Sequence, residues 1–291
     1  MRLYKAIPPV LRAFYTYRKE ESNYGRIREL NISGNGISDD GIPYITTAGG
    51  KTFFGYPPSK TQVAIFRHCL PADIKKNLQV QTVNVAYEVA RKYLPPRNER
   101  EAQAKNRFAQ VSKGTVLLEG GAYVGYYAMR AAELVGQSGK VIAVEAIEEN
   151  FRILKRNMEA NGIENVILLN MAIWNEKKRL TLYRSKKQIA SISREISEGG
   201  EAHSVDANTI DSILEQQGIS KVDYLRLQIN GAEYTALQGM DNTLKQMPEM
   251  LIASPYSLHG IAQGEKIKDY LRSKGFATAF TISKSIHAYR P

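Results

Sequence analysis

Apolar runs of strand length alternate with amphipathic segments through the second half of the chain. The runs lie at residues 115–120, 140–144, 166–169, 222–229 and 250–253. Between them apolar residues recur every three to four positions, a period typical of helices, at residues 126–135, 148–160, 208–217, 231–247 and 265–274. This alternation predicts an α/β domain with a doubly wound, mainly parallel sheet, and two last runs at 276–280 and 282–289 predict a terminal antiparallel pair. Ligands of such sheets bind at the carboxyl ends of the strands.

The chain before this domain follows another pattern. Runs at residues 42–47 and 51–56 flank a Gly-Gly turn and predict a β-hairpin, whereas residues 31–41, rich in Gly, Ser, Asn and Asp, are expected to form a loop. Charged or periodic positions predict helices over residues 18–30, 60–70, 83–93 and 98–110. We therefore expect a smaller α+β extension over residues 1–105, for substrate binding or oligomerisation, and the main domain over residues 106–291.

A polar segment separates the third and fourth apolar runs of the main domain. Residues 179–183 alternate in polarity and predict an antiparallel strand. Residues 185–200 form a long polar stretch with an apolar island, and loops of that length beside a ligand site often cover substrate. Asp206, just before the next helical pattern, is expected in a loop or cap.

The end of the first apolar run carries the main ligand signal. Glu119 is followed by a glycine pair and then by Gly125, where the next helical pattern begins. Gly121 and Gly125 allow the backbone to approach a ligand closely and the helix to start tight against the strand. Glu145, at the tip of the second run, can accept hydrogen bonds from two ribose hydroxyls. Because the spacing is not G-x-G-x-x-G, the pyrophosphate fingerprint, a ribose cofactor without phosphate fits better, and S-adenosylmethionine is the common one.

The charge of the chain is concentrated before the main domain. The formal net charge is +11, and residues 51–113 contain twelve basic and four acidic residues. Such a segment attracts anionic partners such as nucleic acid, acidic peptides or anionic glycans, although a solvated surface with a basic bias is the favoured explanation. The interleaved aromatic and basic residues of a single-strand nucleic-acid platform are absent, so RNA methylation rests on charge alone.

Cysteine content and hydropathy bear on the cellular compartment. The single cysteine, Cys69, excludes an internal disulfide and a multi-cysteine zinc site, and fits a reducing cytoplasm. No run of about 18 apolar residues is present, and residues 1–14 lack the apolar core of a signal peptide. We expect a cytoplasmic protein without a membrane span, and leave homo-oligomerisation open.

Four motifs follow one another in the main domain. They are Leu-Glu-Gly-Gly-Ala-Tyr-Val-Gly at 118–125, Val-Ile-Ala-Val-Glu with a later Glu-Asn-Phe at 141–151, Thr-Ile-Asp-Ser at 209–212 and Asp-Tyr-Leu-Arg-Leu-Gln-Ile-Asn-Gly-Ala-Glu at 223–233. In order and spacing they resemble the FkbM family of S-adenosylmethionine-dependent methyltransferases, whose first and last motifs are Val-Asp-Val-Gly-Ala-Asn-Ile-Gly and Asp-x-Leu-Lys-Ile-Asp-Val-Glu-Gly-Ala-Glu. The resemblance implies a class I methyltransferase sheet of Rossmann-like topology. It also implies methyl transfer from S-adenosylmethionine to hydroxyls of glycans or natural products, or to amide nitrogens of peptides.

Four departures from these family motifs bear on the chemistry of the site. Glu119 keeps the charge of the first acid on a longer side chain, and Tyr123 replaces an asparagine in the turn. Gln228 and Asn230 each replace an acid in the last motif. The cofactor half of the pattern is therefore kept, and the catalytic half is partly neutralised.

The resemblance and the residue chemistry together give a candidate site. The expected cofactor-binding residues are Glu119, Gly121, Ala122, Tyr123, Gly125, Glu145, Ala172 and Gln228. His259, after the fifth run, is the candidate general base, and the amides of Gln228 and Asn230 would orient the cofactor or the acceptor.

Other polar residues do not form a convincing metal site. His203, Asp206 and Asp211 lack the spacing of metal ligands, and we expect no metal. Two functions stay open: an active methyltransferase acting on a small-molecule, glycan or peptide substrate, in which RNA is the less favoured variant, and a cofactor-binding homologue that has lost catalysis and acts through its N-terminal extension.

Overall fold

The computed structural model describes residues 25–60, 62–63, 70, 72–95, 111–185, 190–194, 197, 200–253, 263–281 and 285–291. These residues belong to two compact units. The first contains the described residues up to Leu94 together with Glu159–Gly162, and the second contains the rest. The described residues include only a few positions of the helix predicted over 60–70 and none of the helix predicted over 98–110. Cys69 and His259 also lie outside them. Since the boundary near residue 105 also falls there, the predicted domain limits stay a prediction.

The first unit is built on a three-stranded antiparallel sheet in the order β1-β2-β3. Its elements are a 3-10 helix (Arg26–Leu30), β1 (Ile32–Ile37), β2 (Pro43–Thr47), β3 (Thr52–Phe54), α1 (Ala72–Asn77), a second 3-10 helix (Val80–Thr82) and α2 (Val83–Lys92). The predicted hairpin is confirmed, since β2 pairs with β3. Ile45 and Phe53 of the sheet are fully buried, as are Val85 and Val89 of α2.

The loop expected over residues 31–41 is wrong in part, because β1 lies within it. β1 pairs with β2 through Ile37 opposite Pro43 and Gly36 opposite Tyr44. A Cβ on Gly36 would lie 3.0 Å from the Tyr44 hydroxyl, so this glycine allows an aromatic side chain to lie over the strand. The glycine content predicted a loop, whereas Gly36 allows close packing of a side chain against a strand.

The second unit contains the remaining strands and helices, except for the last two residues of the helix Glu148–Ala160, which belong to the first unit. Its strands are β4 (Val116–Gly120), β5 (Lys140–Val144), β6 (Val166–Leu169), β7 (Ala172–Ile173), β8 (Lys178–Arg184), β9 (Ala190–Ser191), β10 (Glu201–Asn208), β11 (Tyr224–Leu227), β12 (Glu249–Ile252), β13 (Ala277–Phe280) and β14 (Ile286–Tyr289). Its helices are α3 (Tyr126–Val135), α4 (Glu148–Ala160), α5 (Ile210–Gln216), α6 (Glu233–Leu237), α7 (Asp241–Gln246) and α8 (Gln263–Ser273).

The main sheet has seven strands in the order β13-β14-β12-β11-β4-β5-β6. The strands from β12 to β6 are parallel, and β14 is antiparallel to both β12 and β13. This confirms the predicted doubly wound sheet with its terminal antiparallel pair. One buried cluster joins apolar side chains of β4, β11, β12 and β14 to those of α5 to α8. The carboxyl ends of β4, β5, β11 and β12 therefore form one edge of a rigid sheet.

A smaller, four-stranded sheet in the order β7-β10-β8-β9 occupies the chain between β6 and α5. The predicted antiparallel strand at 179–183 is confirmed as β8, which pairs with β10 along its whole length. The assignment of Asp206 to a loop or cap is wrong, because it lies in β10 opposite Arg179. Exposed polar residues such as Ser204 and Asp206 alternate with less exposed ones along β10, and this polarity hid the strand in the sequence.

The single helix expected over residues 231–247 is wrong, because the chain forms α6 and α7 there. The break falls at Gly239, where a Cβ would lie 2.5 Å from the Trp174 carbonyl oxygen. The carboxylate of Asp211 then accepts hydrogen bonds from the N–H groups of Asn242 and Thr243, both at 2.8 Å. Those are donors that the first turn of a helix leaves unsatisfied, so Asp211 supports the start of α7.

Candidate functional site

The turn between β4 and α3 is a tight loop with several positive φ angles. Gly121, Tyr123 and Gly125 have φ angles of 82°, 56° and 87°. The N–H groups of Gly121 and Ala122 both donate to the Val144 carbonyl, at 2.9 and 3.0 Å. The turn is thereby fixed to the end of β5.

The two glycines of the turn are required by contacts within the protein itself. A Cβ on Gly121 would lie 2.1 Å from the Gln228 carbonyl oxygen at the end of β11. A Cβ on Gly125 would lie 2.4 Å from Leu154 of α4. Positive φ angles add to the requirement. The glycines therefore bring the ends of β4 and β11 and the helices α3 and α4 into close approach.

Glu145 directly follows β5 and is fixed against the turn. Its carboxylate accepts hydrogen bonds from Tyr123 N at 2.8 Å, Ile147 N at 3.0 Å and Asn150 Nδ2 at 3.0 Å. Burial raises the pKa of Glu145, and these three bonds and the nearby Arg184 oppose that rise. A carboxylate has about four acceptor sites. Capacity for a ligand hydroxyl therefore remains on a carboxylate that is already oriented.

The chain after β6 contributes Asn170 and Arg184 as neighbours of Glu145. Asn170, after β6, donates to the Glu145 carbonyl at 2.9 Å. Arg184, at the end of β8, forms an ion pair with Glu149 at 3.3 Å. Ala172 is buried in β7, which pairs with β10. The expected cofactor residue Ala172 thus belongs to the strand that begins the small sheet.

A buried ion pair joins the ends of β4 and β11. Glu119 and Arg226 are opposite each other in the parallel pairing of these strands, and they are 1% and 5% exposed. Arg226 Nη1 donates to Glu119 Oε1 at 2.6 Å. The guanidinium also lies 4.4 Å from the ring centroid of Tyr127, in the first turn of α3, a cation–π contact. The first acid of the glycine motif is therefore neutralised within the protein.

Gln228 and Asn230, the two amides of the last motif, take part in different contacts. Gln228 Oε1 accepts a hydrogen bond from Arg226 Nη2, and its side chain is exposed. Asn230 has a φ of 49°, its Nδ2 donates to the Ala190 carbonyl at 2.9 Å, and its own carbonyl accepts from Ser191 Oγ at 2.6 Å. Asn230 thus attaches the β9 segment to the end of β11, whereas Gln228 remains at the edge of the sheet.

Glu233 shapes the same loop from inside. Its two carboxylate oxygens accept from the N–H groups of Ile229, at 3.0 Å, and Gly231, at 2.8 Å. Burial raises the pKa of Glu233, and the backbone donors oppose that rise. Its position at the end of the last motif was a signal that the sequence reasoning did not use. Arg226 and Asn150 were missed as well, since their roles depend on partners seen only in the folded chain.

The structure groups most of the predicted site residues at one edge of the main sheet. Glu119, Gly121, Ala122, Tyr123, Gly125, Glu145, Gln228 and Asn230 lie at or next to the carboxyl ends of β4, β5 and β11. His259 lies outside the described residues. Across the described ranges, no group of three or more His, Cys, Asp or Glu side chains is arranged to hold a metal ion.

The chemistry of this edge suits a cofactor with a ribose and no phosphate. Glu145 offers a fixed hydroxyl acceptor beside the turn, whereas the charge of Glu119 is balanced by Arg226. An ionised carboxylate at the position of Glu145 would repel a phosphate. S-adenosylmethionine, which combines a ribose with a cationic sulfonium, fits these residues.

Comparison with known sequences places the chain in a family. Residues 119–277, more than half of the chain, match the methyltransferase FkbM domain. The protein-L-isoaspartate O-methyltransferase 1 of Archaeoglobus fulgidus is 46% identical over 57 residues, 20% of this chain and 26% of that protein. The protein-L-isoaspartate O-methyltransferase of Methanococcoides burtonii is 38% identical over 61 residues, 21% of this chain and 30% of that protein. The chain thus spans less than a third of the length of these two relatives.

Solved structures resemble the chain at low sequence identity. The methyltransferase FkbM from Methylobacillus flagellatus KT is 12% identical, with a TM-score of 0.42, over 71% of this chain and 54% of that one. A SAM-dependent methyltransferase from Aquifex aeolicus is 12% identical, with a TM-score of 0.40, over 69% of this chain and 95% of that one. On the match over residues 119–277, the chain belongs to the methyltransferase FkbM domain family, whose cofactor is S-adenosylmethionine.

Proposed function

We propose that the protein is a methyltransferase that methylates an oxygen or nitrogen atom of a small molecule, glycan or peptide. The observation that carries this proposal is the placement of Glu145, whose carboxylate is fixed by Tyr123 N at the carboxyl ends of β4 and β5. The cofactor supplies a methyl group on a sulfonium, which is an electrophile. Such a transfer asks the protein mainly to align the reactants and to exclude water.

The residues at the sheet edge would have distinct roles. Glu145 would bind a ribose hydroxyl, and the backbone of the turn from Gly121 to Gly125 would contact the cofactor. Ala172 would border the cofactor near Glu145. Gln228, exposed at the end of β11, would contact the cofactor or the acceptor.

We favour oxygen as the atom that receives the methyl group. Both curated relatives are named as O-methyltransferases, although each resembles this chain over only a short segment. The excess of basic residues favours an anionic acceptor. A hydroxyl is one such oxygen, and an amide nitrogen, which the family resemblance also implies, is the alternative.

A second candidate, a cofactor-binding homologue without catalysis, is supported by the two amides of the last motif. Gln228 is engaged with Arg226, and Asn230 with Ala190. Neither amide can take up a proton at neutral pH, so neither can replace the acids of the family motif as a base.

Transfer of labelled methyl groups separates the two functions. The protein is incubated with methyl-labelled S-adenosylmethionine and a cell lysate fractionated into small-molecule, glycan, peptide and RNA pools. Label in any one pool supports the methyltransferase, and label in none of them supports the binding protein. The His259→Ala variant tests the candidate base, because an unchanged transfer rate would exclude it.

A further inference from the structure

The Arg226–Gln228 contact determines which half of the Gln228 amide faces a ligand. A guanidinium has only donors, so the atom of Gln228 that it contacts must be the oxygen. The NH2 group lies at the other end of the amide, and the Gln228 side chain is exposed. Where the family motif has an acid, the end of β11 therefore presents a hydrogen-bond donor.

The carboxylates next to this donor are already engaged. Glu119 accepts from Arg226, and Glu233 accepts from two backbone N–H groups. The Asn230 amide donates to Ala190. Glu145, after β5, keeps its remaining acceptor capacity for the ribose hydroxyl. Among the described residues at the end of β11, Gln228 therefore offers a donor, and neither Glu119 nor Glu233 is placed to take a proton from an acceptor.

The kinds of acceptor differ in what they ask of such a site. A hydroxyl or an amide nitrogen must lose its proton to become a good nucleophile, which requires a base. A carboxylic acid with an ordinary pKa near 4 is ionised at neutral pH and needs none. Its second oxygen can also accept a hydrogen bond from an amide NH2 while the first one reacts.

We propose that the acceptor is a carboxylate, which Gln228 binds through its NH2 group and which is converted to a methyl ester. This inference rests on the proposed methyltransferase function. One carboxylate oxygen forms a bond to the methyl carbon as the carbon–sulfur bond breaks, and the electron pair of that bond stays on sulfur. The products are a neutral ester and a neutral thioether, and no proton is released. Arg226 is a positioning residue, because it acts by orienting the Gln228 amide.

Binding is tested by NMR on the 15N-labelled protein saturated with S-adenosylhomocysteine, with acetate as the probe. The side-chain NH2 signal of Gln228 is identified by its absence in Gln228→Ala. We expect acetate to shift this signal saturably and ethanol not to do so. Gln228→Glu should abolish acetate binding, and Arg226→Lys should weaken it about tenfold while the protein stays folded. Gln217→Glu, at an exposed glutamine after α5, should bind acetate like the unmodified protein.

The second test uses the stability of the transferred label. Methyl esters release volatile methanol in mild alkali, whereas methyl ethers and N-methyl amides do not. Alkali-labile label supports a carboxylate acceptor, and alkali-stable label overturns it. A missing acetate shift, or one that persists in Gln228→Glu, overturns it too. Absence of any label transfer would count against the proposed function, while the acetate titration would still decide the role of Gln228.

Discussion

Two non-glycine residues of the site have positive φ angles. Tyr123 and Asn230 adopt φ angles of 56° and 49°, which cost about 1–2 kcal/mol for ordinary residues. Tyr123 N donates a hydrogen bond to the Glu145 carboxylate, and Asn230 Nδ2 donates one to the Ala190 carbonyl. Such strain is common where a backbone is fixed for a ligand. The two strained backbone positions thus lie at the sheet edge that carries the predicted site residues.

Gly121→Ala tests the close approach of the turn to β11. The new methyl group would meet the Gln228 carbonyl at 2.1 Å in a residue with φ of 82°, so we expect a loss of roughly 2–4 kcal/mol in the free energy of unfolding. Gly218→Ala is the matched control, because Gly218 also has positive φ and has open space around it. It should cost about 1 kcal/mol. Urea unfolding followed by the fluorescence of Trp174, the single tryptophan, measures both, and equal losses would contradict the contact.

Arg226→Met tests the buried ion pair. The change leaves the Glu119 carboxylate buried beside an apolar side chain, so we expect a loss of roughly 3–5 kcal/mol. The double variant with Glu119→Leu should recover most of that loss, because no charge is then buried alone. Arg272→Met breaks an exposed pair with Asp269 and should cost less than about 1 kcal/mol. Additive losses in the double variant would show that the two residues do not interact.

At the scale of elements, the β9 segment is attached to the end of β11 by a pair of hydrogen bonds. Ser191 donates to the Asn230 carbonyl, and Asn230 donates to the Ala190 carbonyl. Ser193 N also donates to Ser191 Oγ. Specific hydrogen bonds therefore attach a polar segment beside the predicted site.

Ser191→Ala should loosen this attachment. The change removes one bond to Asn230 and the acceptor of the Ser193 N–H, so amide exchange at Ser193 should become about fivefold to tenfold faster. Ser204→Ala, at an exposed serine of β10, should leave that exchange unchanged. Hydrogen–deuterium exchange measured by NMR decides the point. Unchanged exchange at Ser193 in Ser191→Ala would mean that other contacts hold the segment.

The loop after β11 should make stability dependent on pH. Burial raises the pKa of Glu233 above its ordinary value of 4.5, so the folded chain binds this proton more tightly than the unfolded one. The stabilisation is complete below about pH 4.5 and is lost as pH rises through the raised pKa, by about 1.4 kcal/mol for each unit of the shift. Glu233→Gln removes this titration, and its free energy of unfolding should fall less between about pH 4 and pH 7. Parallel pH profiles for both proteins would show that Glu233 does not titrate in this way.

Local sequence pattern was sufficient for the elements with strong periodicity. The glycine turn, β5 and α3 form at the positions predicted from the apolar runs, the acid and the glycines, because these signals act over a few neighbouring residues. Three other features could not be derived in that way. The pairing of Glu119 with Arg226 joins residues far apart in the chain, and the polar β10 is stabilised by its neighbours β7 and β8. Gly239, between α6 and α7, lies so close to the Trp174 carbonyl that a Cβ there would clash with it.

At the scale of the whole molecule, acids of the basic N-terminal region form local ion pairs. In the first unit Glu88 pairs with both Arg91 and Lys92, and Asp73 pairs with Arg28. These pairs leave the excess of basic residues unchanged, because the net charge already counts both partners, and that excess still attracts anions. None of the helices in the described ranges has the length and apolar character needed to cross a bilayer.

The central claim is that the turn from Gly121 to Gly125 and the carboxylate of Glu145 bind the cofactor. Calorimetric titration with S-adenosylhomocysteine tests it most directly, since this product binds without reacting. Binding should be measurable in the unmodified protein and about 10- to 100-fold weaker in Glu145→Ala. Glu145→Gln is the second variant, which keeps part of the hydrogen bonding to the turn. Glu148→Ala, an exposed acid three residues on, should bind normally. Absence of binding to the unmodified protein, or unchanged affinity in both Glu145 variants, would contradict the account.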